Sequence, residues 1–127
     1  MVARDRRRLL PRRGSVPLVF HGLLEYGIGV LLIASSSLFS FDSTPRAVGI
    51  LLGAAVLVLT ALSDLPTALV RRLPLDSHIV IDYVVGILLV ASPFIFSFSD
   101  DAGALAFFVI VGIGHLILTA VTRFKTH

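Results

Sequence analysis

The sequence contains no cysteine and few charged residues. Without cysteine the 127-residue chain cannot form disulfides, zinc–thiolate sites or cysteine-ligated iron–sulfur clusters. Charged residues make up 15% of the chain, whereas a soluble domain has about 25%. A domain of this size has a large surface for its volume, and so little charge could not cover it in water. The composition therefore excludes a soluble globular enzyme, and the 56% of hydrophobic residues excludes a disordered chain.

In place of charge the sequence has four long apolar stretches. They cover residues 16–41, 47–62, 78–98 and 103–122. A helix needs about 20 apolar residues to cross about 30 Å of hydrocarbon. Strands are rejected because there is no sustained alternation, and an open sheet in lipid leaves backbone groups unpaired. We therefore predict four transmembrane helices, of which the second needs residues 63–65 to reach across.

Positive charge is concentrated on one side of this predicted topology. Arg46 alone falls in an outer loop, and the other ten Lys and Arg residues fall on the opposite side. Six of these ten lie in the N-terminal arm, two in the middle loop and two in the tail. Cytoplasmic loops are rich in Lys and Arg, so we predict a plasma-membrane protein with both termini cytoplasmic. The basic arm would lie on anionic headgroups and not on nucleic acid, because an apolar span follows at once.

The middle loop has signals for a short helix of its own. Asp64 could act as N-cap for an interfacial helix over residues 65–73, with Pro66 in its first turn. Its leucines would face lipid and its arginines the headgroups. The predicted segments are a basic arm (1–15), a first two-helix unit (16–64), a cytoplasmic loop (65–77), a second unit (78–122) and a tail (123–127).

The two units are copies of one another. At an offset of 57 the first stretch matches the third, and at an offset of 59 the second matches the fourth. The matches include His21 with His78 and Tyr26 with Tyr83. Apolar composition alone would not place these polar residues in register, so the chain contains an internal repeat. Because the repeat includes the whole first stretch, it argues against a cleaved signal peptide there.

A duplicated helical pair predicts an all-α fold, an integral membrane four-helix bundle made of two tandem transmembrane helical hairpins. Each unit has an even number of spans, so both enter the membrane from the same side. The expected relation between them is a pseudo-twofold axis along the membrane normal. Small residues allow helices to approach closely in lipid. The predicted helix-packing positions are Gly29, Gly49, Gly53, Gly86 and Gly112.

A Ser-Pro pair lies in the outer half of the third stretch, which reads Ser92-Pro93-Phe94. The aligned positions of the first stretch read Ser35-Ser36-Ser37 and keep only the first Ser. With its tandem two-helix units, the chain resembles the SPW repeat family of small bacterial membrane proteins, named for a Ser-Pro-Trp motif. The resemblance implies a bacterial inner-membrane protein with no established chemistry. Pro93 removes one helix hydrogen bond, so Ser92 and Pro93 mark a predicted helix kink.

Ionisable residues interrupt the apolar stretches at one depth. His21 and Glu25, like His78 and Asp82, are spaced four residues apart on one helix face. A charged carboxylate within a span costs about 2.5–3.5 kcal/mol, so these groups need partners. The predicted polar layer comprises His21, Glu25, Tyr26, His78, Asp82, Tyr83 and His115.

The first interpretation of this layer is a hydrogen-bonded lock between the hairpins. Glu25 would bond to His115 or Tyr83. Asp82 would bond to His78 or Tyr26. This interpretation predicts a non-enzymatic protein of structural, accessory or self-associating type, in a homo-oligomer or a larger membrane complex. It predicts no catalytic residue, no metal site and no cofactor.

Two alternatives use the same residues. In a proton- or ion-coupled permeation protein, Glu25, Asp82 and His115 would carry the ion, although no ionisable group continues the path through the outer half. In a b-type haem protein, two of the three intramembrane histidines would be axial ligands.

Overall fold

The computed structural model describes residues 16–122, so the predicted basic arm and tail lie outside the described part. Four α-helices form within it, and each is long and apolar enough to cross a membrane. The helices are α1 (Leu18–Phe39), α2 (Ser43–Leu62), α3 (Leu75–Ile95) and α4 (Ala102–Val121). They contain 20–22 residues, or about 30–33 Å at 1.5 Å per residue. The predicted all-α fold with four membrane spans is confirmed, and the pseudo-twofold axis stays a prediction.

Two helix starts differ from the sequence-based boundaries. Helix α2 begins at Ser43 and reaches 20 residues without the extension to residue 65. Helix α3 begins at Leu75, three residues before His78, directly after Pro74. Proline has no amide hydrogen to donate and suits the position before a helix, so the chain can enter α3 there. As a result His78 lies within the first turn of its helix and is held by regular backbone bonds.

Each hairpin is closed by direct contact between its two helices. Helix α1 packs mainly on α2 and α3 mainly on α4, with less extensive contacts between the hairpins. A Cβ added to Gly53 would lie 2.7 Å from the carbonyl oxygen of Gly29. A Cβ added to Gly112 would lie 2.9 Å from the backbone nitrogen of Val90. These glycines therefore lie where two backbones meet, as close packing in lipid requires.

The other predicted packing glycines lie on the same two seams. Leu57 covers Gly29 in the first hairpin, and Leu116 covers Gly86 in the second. A Cβ on Gly49 would lie 2.9 Å from the carbonyl oxygen of a residue on α1. All five predicted packing glycines thus face the partner helix of their own hairpin. The seams fix how each helix is rotated and therefore which face it turns to the other hairpin.

The two hairpin turns are built alike. Ser40 and Ser97, which occupy equivalent repeat positions, have left-handed backbone conformations with φ of 54° and 59°. After each, a phenylalanine amide donates five residues back, Phe41 to Ser36 at 3.2 Å and Phe98 to Pro93 at 2.9 Å. We refer to the end of the bundle with these turns as the hairpin end. The opposite end, which includes residues 63–74, is the linker end.

The predicted interfacial helix over residues 65–73 is wrong. This segment consists of bends and turns, because its amide groups bond to the end of α2. The Leu69 amide donates to the Ala61 carbonyl at 2.9 Å, and the Leu73 amide donates to the Leu62 carbonyl at 2.7 Å. Amides used in this way cannot form the successive bonds of a helix. The linker therefore lies against the bundle.

The serines of the repeat motif bond back to their own helices. Ser92 Oγ donates to the Leu88 carbonyl at 2.5 Å, and Ser35 Oγ donates to the Leu32 carbonyl at 2.7 Å. Pro93 lies buried inside α3. The predicted kink at this position stays a prediction.

The centre of the bundle is apolar toward the hairpin end and polar toward the linker end. Leu32, Leu89 and Phe108 are fully buried in the apolar part. Large apolar side chains also cover the outside, where Leu51 is 70% exposed and Ile110 is 68% exposed. An outer surface of this kind is suited to acyl chains and not to water.

Candidate functional site

Four ionisable side chains meet in the polar half of the bundle. Helix α1 contributes His21 and Glu25, and α3 contributes His78 and Asp82. Each pair is one helical turn apart, so both members extend from the same face. All four side chains are 0% exposed, and one nitrogen or oxygen atom from each lies within 4.8 Å of the others. We call these four residues the histidine–carboxylate cluster.

Each histidine of the cluster lies against both carboxylates. His78 Nε2 is 2.9 Å from Glu25 Oε1 and 3.0 Å from Asp82 Oδ2. His21 Nε2 is 3.0 Å from Asp82 Oδ2 and also contacts Glu25 Oε1. One carboxylate in each case belongs to the same helix and the other to the facing hairpin. The cluster therefore joins the two repeats through groups that cannot be buried alone without a large penalty.

Two hydroxyl groups hold the outer nitrogens of the histidines. Thr122 Oγ1 lies 2.7 Å from His21 Nδ1, and Ser63 Oγ lies 2.6 Å from His78 Nδ1. These hydroxyls directly follow α4 and α2, so each histidine contacts the other repeat once more. The sequence analysis missed both residues. The available signal was their equivalence at the repeat offset of 59.

The hydroxyl groups determine which ring nitrogen carries hydrogen. Thr122 donates its single hydrogen to the Leu118 carbonyl at 2.5 Å, and Ser63 donates to the Leu59 carbonyl. Each hydroxyl oxygen must then accept a hydrogen from histidine Nδ1. In a neutral ring, Nε2 consequently presents a lone pair to the carboxylates. Two lone pairs at such distances repel, so the cluster requires either protons shared between the rings and the carboxyl groups or a bound cation.

The first repeat also orients its carboxylate. Thr60 Oγ1 lies 2.9 Å from Glu25 Oε2 and 2.8 Å from the Val56 carbonyl on its own helix. This contact holds the second oxygen of Glu25 while the first faces the histidines. Thr60 is therefore a further site residue, and the sequence analysis did not single it out.

The second repeat lacks an equivalent contact. Asp82 is one methylene shorter than Glu25, and Thr119, the repeat equivalent of Thr60, donates to the His115 carbonyl at 3.0 Å. The His115 side chain lies beside Asp82, with Nε2 3.6 Å from Oδ1. Neither ring nitrogen of His115 has a hydrogen-bond partner within residues 16–122, and Asp82 Oδ1 has none there either. The two repeats thus differ at this corner of the cluster.

The two tyrosines of the predicted polar layer lie outside the cluster. Tyr26 donates its hydroxyl hydrogen to the Thr67 carbonyl of the linker at 2.8 Å, and Tyr83 is 39% exposed. Each tyrosine follows its carboxylate by one residue, which rotates it by about 100° around the helix. The predicted bonds from Glu25 to Tyr83 and from Asp82 to Tyr26 are therefore wrong.

The predicted histidine contacts are correct in part. His78 does contact Asp82. Glu25 contacts His78 and His21 and not His115, which lies beside the other carboxylate. Each carboxylate thus contacts both histidines, a combination that the i, i+4 spacing alone did not predict.

The geometry does not favour a haem. The His21 and His78 ring centroids are 5.7 Å apart, and carboxylate oxygens already lie against both Nε2 atoms. A macrocycle between the rings would have to displace both carboxylates. The donor set of two imidazole nitrogens and two carboxylate oxygens is instead one that a small divalent cation can bind.

The fold and the site define a class, a four-span membrane protein made of two helical hairpins that are joined by a buried polar cluster. The profile of the SPW repeat domain matches residues 19–122. The chain belongs to this family, as the sequence resemblance predicted. Neither the curated proteins nor the solved structures include a match to the chain.

Proposed function

We propose that this chain is a non-enzymatic structural protein of the membrane, and that the histidine–carboxylate cluster locks its two hairpins into one unit. In this role it serves as an accessory or self-associating subunit. The observation that carries the proposal is the sharing of each cluster histidine between the two repeats. His78, for example, contacts Glu25 and Ser63 of the first repeat as well as Asp82 of its own.

The lipid environment makes such contacts decisive for docking. Acyl chains are as apolar as leucine, so burying apolar faces against each other provides little driving force in a bilayer. Separating the hairpins would instead leave each histidine and carboxylate of the cluster with only its partner on the same helix. Removing one partner of a buried pair costs about 3–5 kcal/mol. The cluster is therefore the group of contacts best suited to hold the hairpins together.

The enclosure of the cluster supports a structural role over an enzymatic or transporting one. Its four ionisable side chains are fully buried, so a substrate has no open route to them in the described residues. Toward the hairpin end, the bundle centre is filled by Leu32, Leu89 and Phe108. Within residues 16–122, an ion passing through this apolar core would meet no ionisable side chain.

Location and orientation follow from the distribution of positive charge. We infer a bacterial inner-membrane location with the linker end, and both termini, on the cytoplasmic side. Arg71 and Arg72 are exposed at the linker end, and Arg46 is the single Lys or Arg near the hairpin turns among residues 16–122. Anionic headgroups would bind the arm of residues 1–15, which lies outside the described residues.

The lock can be tested by cutting the chain between the hairpins. A site-specific protease sequence inserted between Val70 and Arg71 allows cleavage of the full-length protein in mild detergent, with an affinity tag on the first half. The second half is expected to co-purify with the first. With Asp82→Ala, most of it is expected to be lost, because the histidines lose a shared carboxylate. Asp76→Ala, which changes an exposed carboxylate on the same helix, is the matched control.

Equal recovery of the second half from wild type and Asp82→Ala would contradict the lock. Circular dichroism of the uncut variants checks that both retain their helices. The accessory or self-associating role needs a separate measurement. Cross-linking in native membranes is expected to give adducts heavier than the 13.7 kDa chain, and exclusive recovery of single chains would contradict that role.

A further inference from the structure

We propose that the histidine–carboxylate cluster is a binding site for one divalent first-row transition-metal cation of the Zn²⁺ type. The ligands are the Nε2 atoms of His21 and His78 and one carboxylate oxygen each from Glu25 and Asp82. This inference goes beyond the proposed lock and does not rest on it, because a cation can bind whether or not the hairpins need it to stay docked.

The first argument is the number and spacing of the donor atoms. Structural zinc sites take four nitrogen, sulfur or oxygen ligands at about 2.0–2.3 Å. With nitrogen and oxygen ligands in a tetrahedral site, neighbouring donor atoms are about 3.3 Å apart. Three nitrogen–oxygen separations in the cluster measure 2.9–3.0 Å, and His21 Nε2 lies closer still to Glu25 Oε1. All four donor atoms lie within 4.8 Å of one another, so the side chains have to move apart to admit the cation. Two imidazoles with two carboxylates suit Zn²⁺, Mn²⁺, Fe²⁺ or Co²⁺ better than Mg²⁺ or Ca²⁺, which prefer oxygen ligands alone.

The second argument is the orientation of the histidines. Metal-binding histidines usually donate the N–H of the other ring nitrogen to a fixed acceptor, which orients the ring and directs the lone pair at the metal. Thr122 Oγ1 and Ser63 Oγ are placed as these acceptors, at 2.7 Å and 2.6 Å from the Nδ1 atoms. Both hydroxyls use their own hydrogen on a helix carbonyl. Both Nε2 lone pairs are thus turned toward the carboxylates, where a cation would lie.

The third argument is charge. With neutral rings, the two carboxylates give the fully buried cluster a charge of two minus, and an unbalanced buried charge is very costly. One divalent cation balances this charge and replaces the lone-pair repulsion by four bonds. The competing arrangement places a proton on each ring and forms an ion-pair cluster without metal. These two arrangements give different results in a metal titration.

The fourth observation concerns a histidine outside the four ligands. His115 is fully buried, has no hydrogen-bond partner for either nitrogen within residues 16–122, and directs Nε2 at Asp82 Oδ1 from 3.6 Å. The equivalent residue in the first repeat is Val56, so packing of the repeat does not require a histidine here. A cation held by Asp82 could take Asp82 Oδ1 or a nitrogen of His115 as an additional ligand, which would give these atoms a partner.

The test is a titration of the full-length protein, purified with a tag that contains no histidine. The protein is stripped with a chelator in mild detergent and titrated with Zn²⁺, and bound zinc is measured by elemental mass spectrometry. One zinc per chain is expected, without competition from excess Mg²⁺. Glu25→Gln and Asp82→Asn keep the side-chain shape and remove one charge, and each is expected to weaken binding at least tenfold. Asp76→Asn, an exposed change on α3, is expected to bind as wild type.

Two results would overturn the metal site. The first is a chain with native helical content that binds none of Zn²⁺, Mn²⁺, Fe²⁺ and Co²⁺ stoichiometrically. The second is zinc binding of unchanged affinity in both carboxylate variants. Should those variants fail to fold, Co²⁺ added to the wild type gives the answer. Intense visible bands of four- or five-coordinate Co²⁺ support the site, and the weak spectrum of hydrated Co²⁺ contradicts it.

Failure of this proposal can be told apart from failure of the lock. The linker-cleavage experiment is repeated on the stripped protein, with the chelator present throughout, and on the zinc-loaded protein without chelator. Halves that stay together in a protein that binds no metal would refute the metal site and leave the lock in place. Halves that separate although zinc binds would refute the lock alone.

Discussion

The assignment of hydrogen to histidine Nδ1 can be tested with two threonines on one helix end. Thr119 and Thr122 are both buried, and each donates its hydroxyl hydrogen to the carbonyl four residues before it. Only Thr122 also accepts a hydrogen, from His21. Replacing either threonine by valine keeps the branched shape. Comparison of the two variants therefore isolates the contact with the histidine.

The two substitutions are expected to change the free energy of unfolding by different amounts. Thr119→Val removes a hydroxyl bond to a carbonyl of its own helix. Such bonds do not add to helix stability, so we expect only a small change in the free energy of unfolding. Thr122→Val also leaves the His21 Nδ1–H without an acceptor in a fully buried site. An unsatisfied buried donor costs about 1–3 kcal/mol. We therefore expect Thr122→Val to be less stable than Thr119→Val by about 1–3 kcal/mol, and Thr122→Ser to recover most of the loss.

The measurement is reversible unfolding in mixed micelles with increasing SDS, followed by circular dichroism. The chain has no tryptophan, so intrinsic tryptophan fluorescence cannot report on it. The same variants also test the metal site. Loss of the hydroxyl that accepts the hydrogen of a metal-binding histidine typically weakens metal binding by about 10–100-fold. Equal stabilities of Thr119→Val and Thr122→Val, or no recovery with serine, would refute the assignment of the Nδ1 hydrogen and the lone-pair argument built on it.

Three further predictions concern packing, the second repeat and orientation. Gly53→Ala places a Cβ 2.7 Å from the facing backbone carbonyl and is expected to lower stability by about 1–3 kcal/mol. Gly27→Ala, with nothing within 4 Å of its Cβ, is expected to cause no loss of stability. Equal losses for the two variants in the same SDS titration would contradict close packing of α1 on α2 at Gly53. In the metal-free protein, His115→Val removes a buried imidazole that has no hydrogen-bond partner among residues 16–122, so no loss of stability is expected. A loss above about 1 kcal/mol would show that His115 makes a stabilising contact there. In intact cells, Asp100→Cys is expected to react with an impermeant maleimide and Arg71→Cys is not, and the reverse pattern would show the opposite orientation.

The spans and the repeat could be predicted because both are written in local sequence patterns. Apolar stretches of membrane length specify helices almost independently of their neighbours. The equivalence of His21 with His78 placed two polar turns at one depth, and the structure brings those turns together. The packing glycines were also recognisable, because few other residues let two backbones approach as α1 and α2 do at Gly53.

The partners within the cluster could not be predicted from spacing. A four-residue spacing shows that His21 and Glu25 share a face, but the direction of that face depends on how each helix is rotated by its seam. Sequence patterns for metal sites also require several ligands close together, and here each helix supplies only two, 57 positions from the others. The accepting hydroxyls of Ser63 and Thr122 lie just beyond helix ends, where apolar periodicity carries no information. The linker was predicted as a helix from its local capping signals, which do not show that its amides bond to α2.

The way the two repeats share this cluster has a consequence for its origin. A single hairpin provides one histidine, one carboxylate and one accepting hydroxyl, and the hydroxyl faces away from its own histidine toward the neighbouring copy. An unduplicated ancestor could assemble such a centre only as a homodimer, with the histidine–hydroxyl contacts and half of the histidine–carboxylate contacts made across the subunit boundary. Joining two such copies in one chain fixes their ratio at one to one and allows the copies to differ. The two copies in this chain do differ at the cluster, where Asp82 and His115 occupy the positions of Glu25 and Val56.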